Sequence, residues 1–120
     1  MKVISASLAV LLSLLGCSNI EQYEYRGFFT YGHETSVFRS CNDMRYFWLN
    51  GESVNRGIID NASLELADKV NEPYQAIYIR FNGFIEDREP VGFEDDTDGL
   101  IYMTELLEYS EQIPESCNWF

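Results

Sequence analysis

A run of apolar and small residues extends from Val3 to Leu15 behind a single basic residue, Lys2. It has the length of a signal-peptide hydrophobic region and falls short of the ~20 residues that a comfortable membrane span needs. Residues 1–16 are therefore expected to be a cleaved export signal, which leaves 104 of the 120 residues to fold. A chain of that size can form one small domain around a modest core. Eight Tyr and eight Phe supply much of the apolar surface for it.

The stretch Leu14-Leu15-Gly16-Cys17 closes the apolar run. It resembles the lipobox of bacterial lipoproteins. The resemblance implies that Cys17 carries a thioether-linked diacylglycerol, becomes the mature N-terminus and is then N-acylated, for example with palmitate. The alternatives are an ordinary signal peptide with a chance cysteine, or a short anchor helix. Ser18, next to Cys17, resembles the outer-membrane class of such proteins, which implies a lipid anchor in the outer membrane facing the periplasm. If Cys17 carries lipid, Cys41 and Cys117 remain of the three cysteines and are expected to form a disulfide. Two free thiols are the alternative. A loop of about 77 residues closed in this way contributes roughly 4 kcal/mol through loss of unfolded-chain entropy.

All 20 acidic residues lie after Cys17, and Lys2 leaves with the signal, so the mature chain carries seven basic side chains and a net charge of −13. Such a domain is repelled by nucleic acid and by anionic lipid. Its membrane partner would be reached through the covalent lipid at Cys17, with two or more chains giving a stable anchor.

Residues 17–22 read as a polar tether and 23–120 as a single domain. Tyr23 to Tyr31 is aromatic-rich and strand-like, with Gly27 marking a bulge or bend. Glu34 to Ser40 alternates, with Val37 and Arg39 on one face and Ser36, Phe38 and Ser40 on the other. Met44 to Leu49 is a third strand candidate. Asn61 to Val70 is helical, with Ala62, Leu66 and Val70 in register, Leu64 and Ala67 widening the apolar stripe, Asp60 or Asn61 as cap, and Asn71 and Pro73 at its end. Tyr74 to Ile85 and Leu100 to Tyr109 complete the strands, separated by an acidic segment from Glu86 to Asp98.

The order strand-strand-strand-helix-strand-strand predicts a mainly β fold, a five-stranded OB-fold-like barrel with one helix. A second resemblance points the same way. Gly27, Tyr31-Gly32-His33-Glu34, Phe38-Arg39-Ser40-Cys41, Tyr46-x-Trp48, Pro73 to Tyr78, Gly83 and the last cysteine resemble the OB-fold C-terminal domain of NlpE-type envelope lipoproteins. The redox-type N-terminal domain of that family has no counterpart here, so its sensing roles do not carry over.

Three constellations could carry chemistry. Glu94, Asp96, Asp98, Gly99 and Glu105 follow the spacing of an EF-hand calcium loop, but Glu94 replaces the usual Asp and the flanks do not read as helices. A solvated acidic loop is the simpler reading. His33 is the only histidine and stands beside Glu34 with no nucleophile in a recognisable setting, so no zinc site or catalytic residue is assigned. Glu34 could instead bond an arginine inside the barrel. Tyr25, Phe28, Phe29, Tyr31, Phe47 and Trp48 could form a stacking platform, but nucleic-acid platforms need a basic groove. Core and rim roles are expected for most of these rings, with a glycan or peptide as the ligand for any left exposed.

The expectation is therefore a lipid-anchored, non-enzymatic accessory or binding module of the bacterial envelope, with no cofactor, that meets a protein or glycan. The competing class is an ion-binding or inhibitor protein using the acidic segment 94–105.

Overall fold

The computed structural model describes residues 20–117. The expected signal peptide, Cys17 and the first half of the tether lie outside the described residues. Five strands form a closed barrel: β1 (Tyr23–Gly32), β2 (Thr35–Ser40), β3 (Phe47–Gly51), β4 (Ala76–Ile85) and β5 (Leu100–Ser110). Their order around the barrel is β1-β2-β3-β5-β4, with β4 returning to β1. All pairings are antiparallel except β3 with β5, which is parallel. This is the OB-fold-like barrel the element order predicts.

Alternation along the strands builds the interior. Phe29, Phe38 and Phe47 stand opposite one another across β1, β2 and β3 and point inward. Ile77, Ile79 and Phe81 from β4 meet Ile101 and Met103 from β5, all fully buried. Phe38 and Phe81 pack edge to face at 5.0 Å, and Tyr25 stacks on Phe81 at 5.3 Å.

The α-helix α1 (Ser53–Val70) covers one end of this core. Its buried residues are Ile59, Ala62 and Ser63, with Leu66 packed behind them. It begins eight residues before the expected start and is capped by the Glu52 side chain, which accepts from the Asn55 amide at 2.7 Å. Gly57 and the β-branched Ile58 and Ile59 lower local helix propensity and hide the first two turns. Leu64 and Val70, expected on the buried stripe, are exposed, because the stripe is centred on Ile59 and Ser63. Asp60 is not the cap. It accepts from Arg56 at 2.9 Å one turn earlier, while Arg56 also donates to the Leu49 carbonyl at 2.7 Å. Ser63, fully buried, accepts from the Tyr31 amide and donates to the Gln75 carbonyl, tying α1 to β1 and to the approach to β4.

A second, smaller cluster lies outside the barrel. Cys41 and Cys117 form a disulfide that holds the C-terminal segment over Phe28 and Tyr78. Tyr78 is therefore buried although it lies on the outward face of β4.

Gly27 sits where β1 pairs with β2 and β4 together, and a Cβ there would collide with the Arg39 carbonyl oxygen. Close approach explains this glycine. The register irregularities lie instead in β4 and β5, one of them beside Gly83, where an added Cβ would collide with the Tyr102 carbonyl oxygen.

Gly27→Ala should lower the melting temperature and Gly57→Ala should raise it, the latter by about 0.5–1 kcal/mol, because the helix surface at Gly57 is open. Thermal unfolding of both variants by circular dichroism reads this directly. Replacing both Cys41 and Cys117 with Ser should cost about 4 kcal/mol, read as a lower midpoint in urea with the slope checked for a changed unfolded state.

Candidate functional site

On the outward side of β1, β2 and β3, Thr30, Val37 and Trp48 stand opposite one another in one row. They form the floor of a groove of about 420 Å³. Glu34 and Thr35, from the β1–β2 turn and the start of β2, line it. Tyr46 lines it just before β3, and Phe93, Asp96 and Thr97 come from the segment between β4 and β5. Tyr46 is 42% exposed and Phe93 50% exposed, a large ring area to leave in water.

The segment over the groove is held at several points. Arg88 binds the Glu94 carboxylate through two nitrogens at 2.8 and 2.9 Å and reaches Glu86 at 3.3 Å. Glu86 in turn accepts from Asn50 at 2.9 Å. Glu94 also accepts from the Val91 amide at 2.9 Å, closing the first turn of a short 3-10 helix, Gly92–Asp96. The Arg88 guanidinium, helped by that amide, lowers the Glu94 carboxyl from 4.5 to about 2. Glu94 and Glu86 in return hold the Arg88 proton more tightly than usual. At the far end Asp98 clamps Tyr46 twice. Its amide donates to the Tyr46 carbonyl at 2.7 Å, and its carboxylate accepts from the Tyr46 amide at 2.9 Å. Thr97 donates to the Glu94 and Gly99 carbonyls. Together these contacts set Phe93 and Asp96 beside the groove.

Residues Met44 to Tyr46, expected to begin the third strand, lie before it. The Arg45 amide and guanidinium both bond Asp43, which bends the chain there and lowers the Asp43 carboxyl to about 2. The bend and the Asp98 clamp fix Tyr46 at the rim.

The EF-hand spacing does not fold into an EF-hand loop. Glu94 is bound by Arg88, Asp98 by Tyr46, and Glu105 lies within β5, accepting from Asn82 at 3.1 Å. Among the described residues no three His, Cys, Asp or Glu side chains are gathered so that they could hold a metal ion. His33 lies on the exposed β1–β2 turn with its Nε2 3.2 Å from Glu34. Glu34 has a left-handed backbone and faces solvent; it does not bond an arginine inside the barrel. Arg56 meets the barrel end instead, with its guanidinium 5.7 Å from the centre of the Phe29 ring.

Of the rings considered as a platform, only Trp48 lines the groove. Phe29 and Phe47 are core, Tyr25 and Tyr31 pack against it, and Phe28 lies under the disulfide cluster. Sequence reasoning did not place Tyr46, Phe93 or Asp96 beside Trp48. The available signal was a single aromatic residue, Phe93, inside a largely acidic segment.

A second depression of about 530 Å³ lies between the end of α1 and the β1–β2 turn. Its Tyr74 ring packs against Gly32 and its hydroxyl donates to the His33 carbonyl. That ring is used in holding the turn, and the depression is not favoured as a site. No protein-family model matches the chain, and no curated protein or solved structure matches it either.

The Arg88–Glu94 pair gives a pH outcome. A lowered carboxyl contributes order above its ordinary value and loses it as pH falls from about 4.5 toward about 2. The Val91 amide resonance should therefore titrate with a midpoint near 2, and Glu94→Gln should abolish that titration and broaden the Phe93 signals.

Proposed function

We propose that this protein is a lipid-anchored, non-enzymatic binding module of the bacterial envelope, tethered through Cys17 and presenting the groove on β1, β2 and β3 to a partner. The observation that supports a binding role is the groove itself. Its Trp48, Tyr46 and Phe93 rings contribute little or nothing to the core cluster, yet backbone clamps and a two-nitrogen Arg88–Glu94 contact hold the surrounding segment in place. Pre-ordered, partly exposed rings favour binding because less side-chain freedom is lost on association. The solvated His33–Glu34 pair, with no nucleophile assigned beside it, offers no comparable support for catalysis.

The anchoring part of the reading rests on the lipobox resemblance and on the cysteine pairing. The bond between Cys41 and Cys117 leaves Cys17 as the only cysteine available for a lipid. The acidity of the mature chain fits a domain held by acyl chains and not by electrostatic attraction to lipid. The likeness to the NlpE-type C-terminal domain remains part of the proposal, as does outer-membrane placement, which rests on the resemblance at Ser18.

Both parts can be tested in intact cells. Palmitate label should enter the wild-type chain and be absent from Cys17→Ala, which should leave the membrane fraction. A photoreactive benzoyl-phenylalanine replacing Trp48 should give a discrete adduct, while the same group replacing the exposed Tyr109 should give none. Unlabelled wild-type protein would remove the anchor. Identical crosslinking from both positions would remove the groove as the binding face.

A further inference from the structure

If the groove is the binding face, its lining also selects the chemistry of its occupant. Among the described residues no Lys or Arg lines it, whereas Glu34 and Asp96 both do, so its charged lining has a single sign. The mature chain's net charge of −13 strengthens that sign over longer range. This protein also seats its own cations on rings repeatedly. Arg45 lies 5.3 Å from the Phe47 ring centre, Arg56 5.7 Å from Phe29, and Arg39 5.6 Å from Tyr46. Among the described residues Trp48 and Phe93 carry no such cation and stack on no other ring. They are the rings that border the groove with a face still available.

We propose that the groove binds an extended basic peptide segment of a partner protein, an inference that rests on the binding-module reading. A Lys or Arg side chain sits against Trp48 and Phe93, Glu34 and Asp96 supply the opposing charge, and an apolar neighbour in the peptide rests on Val37. An indole face is the strongest of the side-chain π surfaces for a cation. The barrel is closed, so the peptide lies across its face through side-chain contacts and does not add a strand to an edge. A neutral sugar could stack on Trp48 but would gain nothing from a lining of one sign. An acidic or phosphate-bearing ligand would be repelled by it.

The test uses the full chain in a non-ionic detergent and fluorescence anisotropy. The probes are a labelled peptide Gly-Lys-Val-Lys-Tyr-Lys-Gly, the same peptide with Glu for each Lys, and a labelled N-acetylglucosamine trimer. The basic peptide should bind and the acidic one should not. Trp48→Ala, and the double change Glu34→Gln with Asp96→Asn, should each weaken binding about tenfold or more. Glu24→Gln with Glu108→Gln removes the same charge from residues that pair with Arg80 elsewhere on the barrel, and should change binding less than about twofold. Phe93→Ala, at an exposed position, should also weaken binding and serves where Trp48→Ala does not fold. Equal losses from the two double changes would show attraction to acidity in general and overturn the proposal. Trimer binding that depends on Trp48, with no peptide binding, would overturn it while leaving the binding face intact. Failure of both probes also overturns it, and failure of the crosslink from position 48 would then remove the binding face as well.

Discussion

The barrel closes where β3 runs parallel to β5, and the positions of the helix and the groove depend on that pairing. Leu49 stands opposite Ile101, both fully buried, and Trp48 stands opposite Leu100 with its amide bonded to the Gly99 carbonyl. β3 is short, and its register with β2 rests on two Cα partners, so β5 supplies most of its pairing. β3 and β4 follow each other in the chain but do not pair, because β5 lies between them. The chain leaving β3 therefore forms α1 across one end of the core, where Arg56 ties it to Leu49. The chain leaving β4 pairs back on it as β5, and the 86–99 segment between them is held beside β3 by the Asp98–Tyr46 and Gly99–Trp48 bonds, where it lines the groove with β1, β2 and β3. The groove is a consequence of barrel closure as well as of the residues that line it.

The strands were legible because their inward residues alternate with outward ones. Val37 and Arg39 do lie opposite in direction to Ser36 and Phe38, and Ile77, Ile79 and Phe81 do share the core face. The helix was legible only in its second half. Its first turns carry Gly57 and β-branched residues, and their stability comes from the Glu52 cap, the Arg56–Asp60 pair and burial of Ile59. Local propensity does not register tertiary contacts of that kind. The start of β3 was misread for a related reason: Asp43 and Asp98 capture the amides of Arg45 and Tyr46 through their side chains, and an apolar pattern cannot reveal that. The groove was the least legible feature. Trp48 was visible as a candidate, but Phe93 and Asp96 join it only after the intervening segment has folded back.

The acidic residues that follow the calcium spacing take two different roles in the fold. Glu86, Glu94, Asp98 and Glu105 have side chains engaged by Arg88, Asn50, Asn82 or a backbone amide. They build the segment between β4 and β5 and brace the strand beyond it. Asp96 lies between two of them in sequence but lines the groove, together with Glu34 from the opposite turn. A run of carboxylates that looks uniform in sequence is thus divided by one arginine and one aspartate clamp into structural acids and groove acids.

The placement of the first strand and of the last described residues bears on how an anchored barrel could present its groove. The described chain enters the barrel at Tyr23, and β1 then runs to Thr30 on the groove floor, seven residues further on. At a strand rise of ~3.3 Å per residue that separates the entry point from the groove by roughly 20 Å. The last described residue, Cys117, is held at the barrel wall by the disulfide and packs with Phe28 and Tyr78, outside the groove lining. Neither Tyr23 nor Cys117 therefore borders the Thr30–Val37–Trp48 row. If the proposed lipid tether feeds the Tyr23 end of β1, the groove floor lies at the far end of that strand from the anchor, and an acidic surface repelled by anionic lipid favours the same orientation.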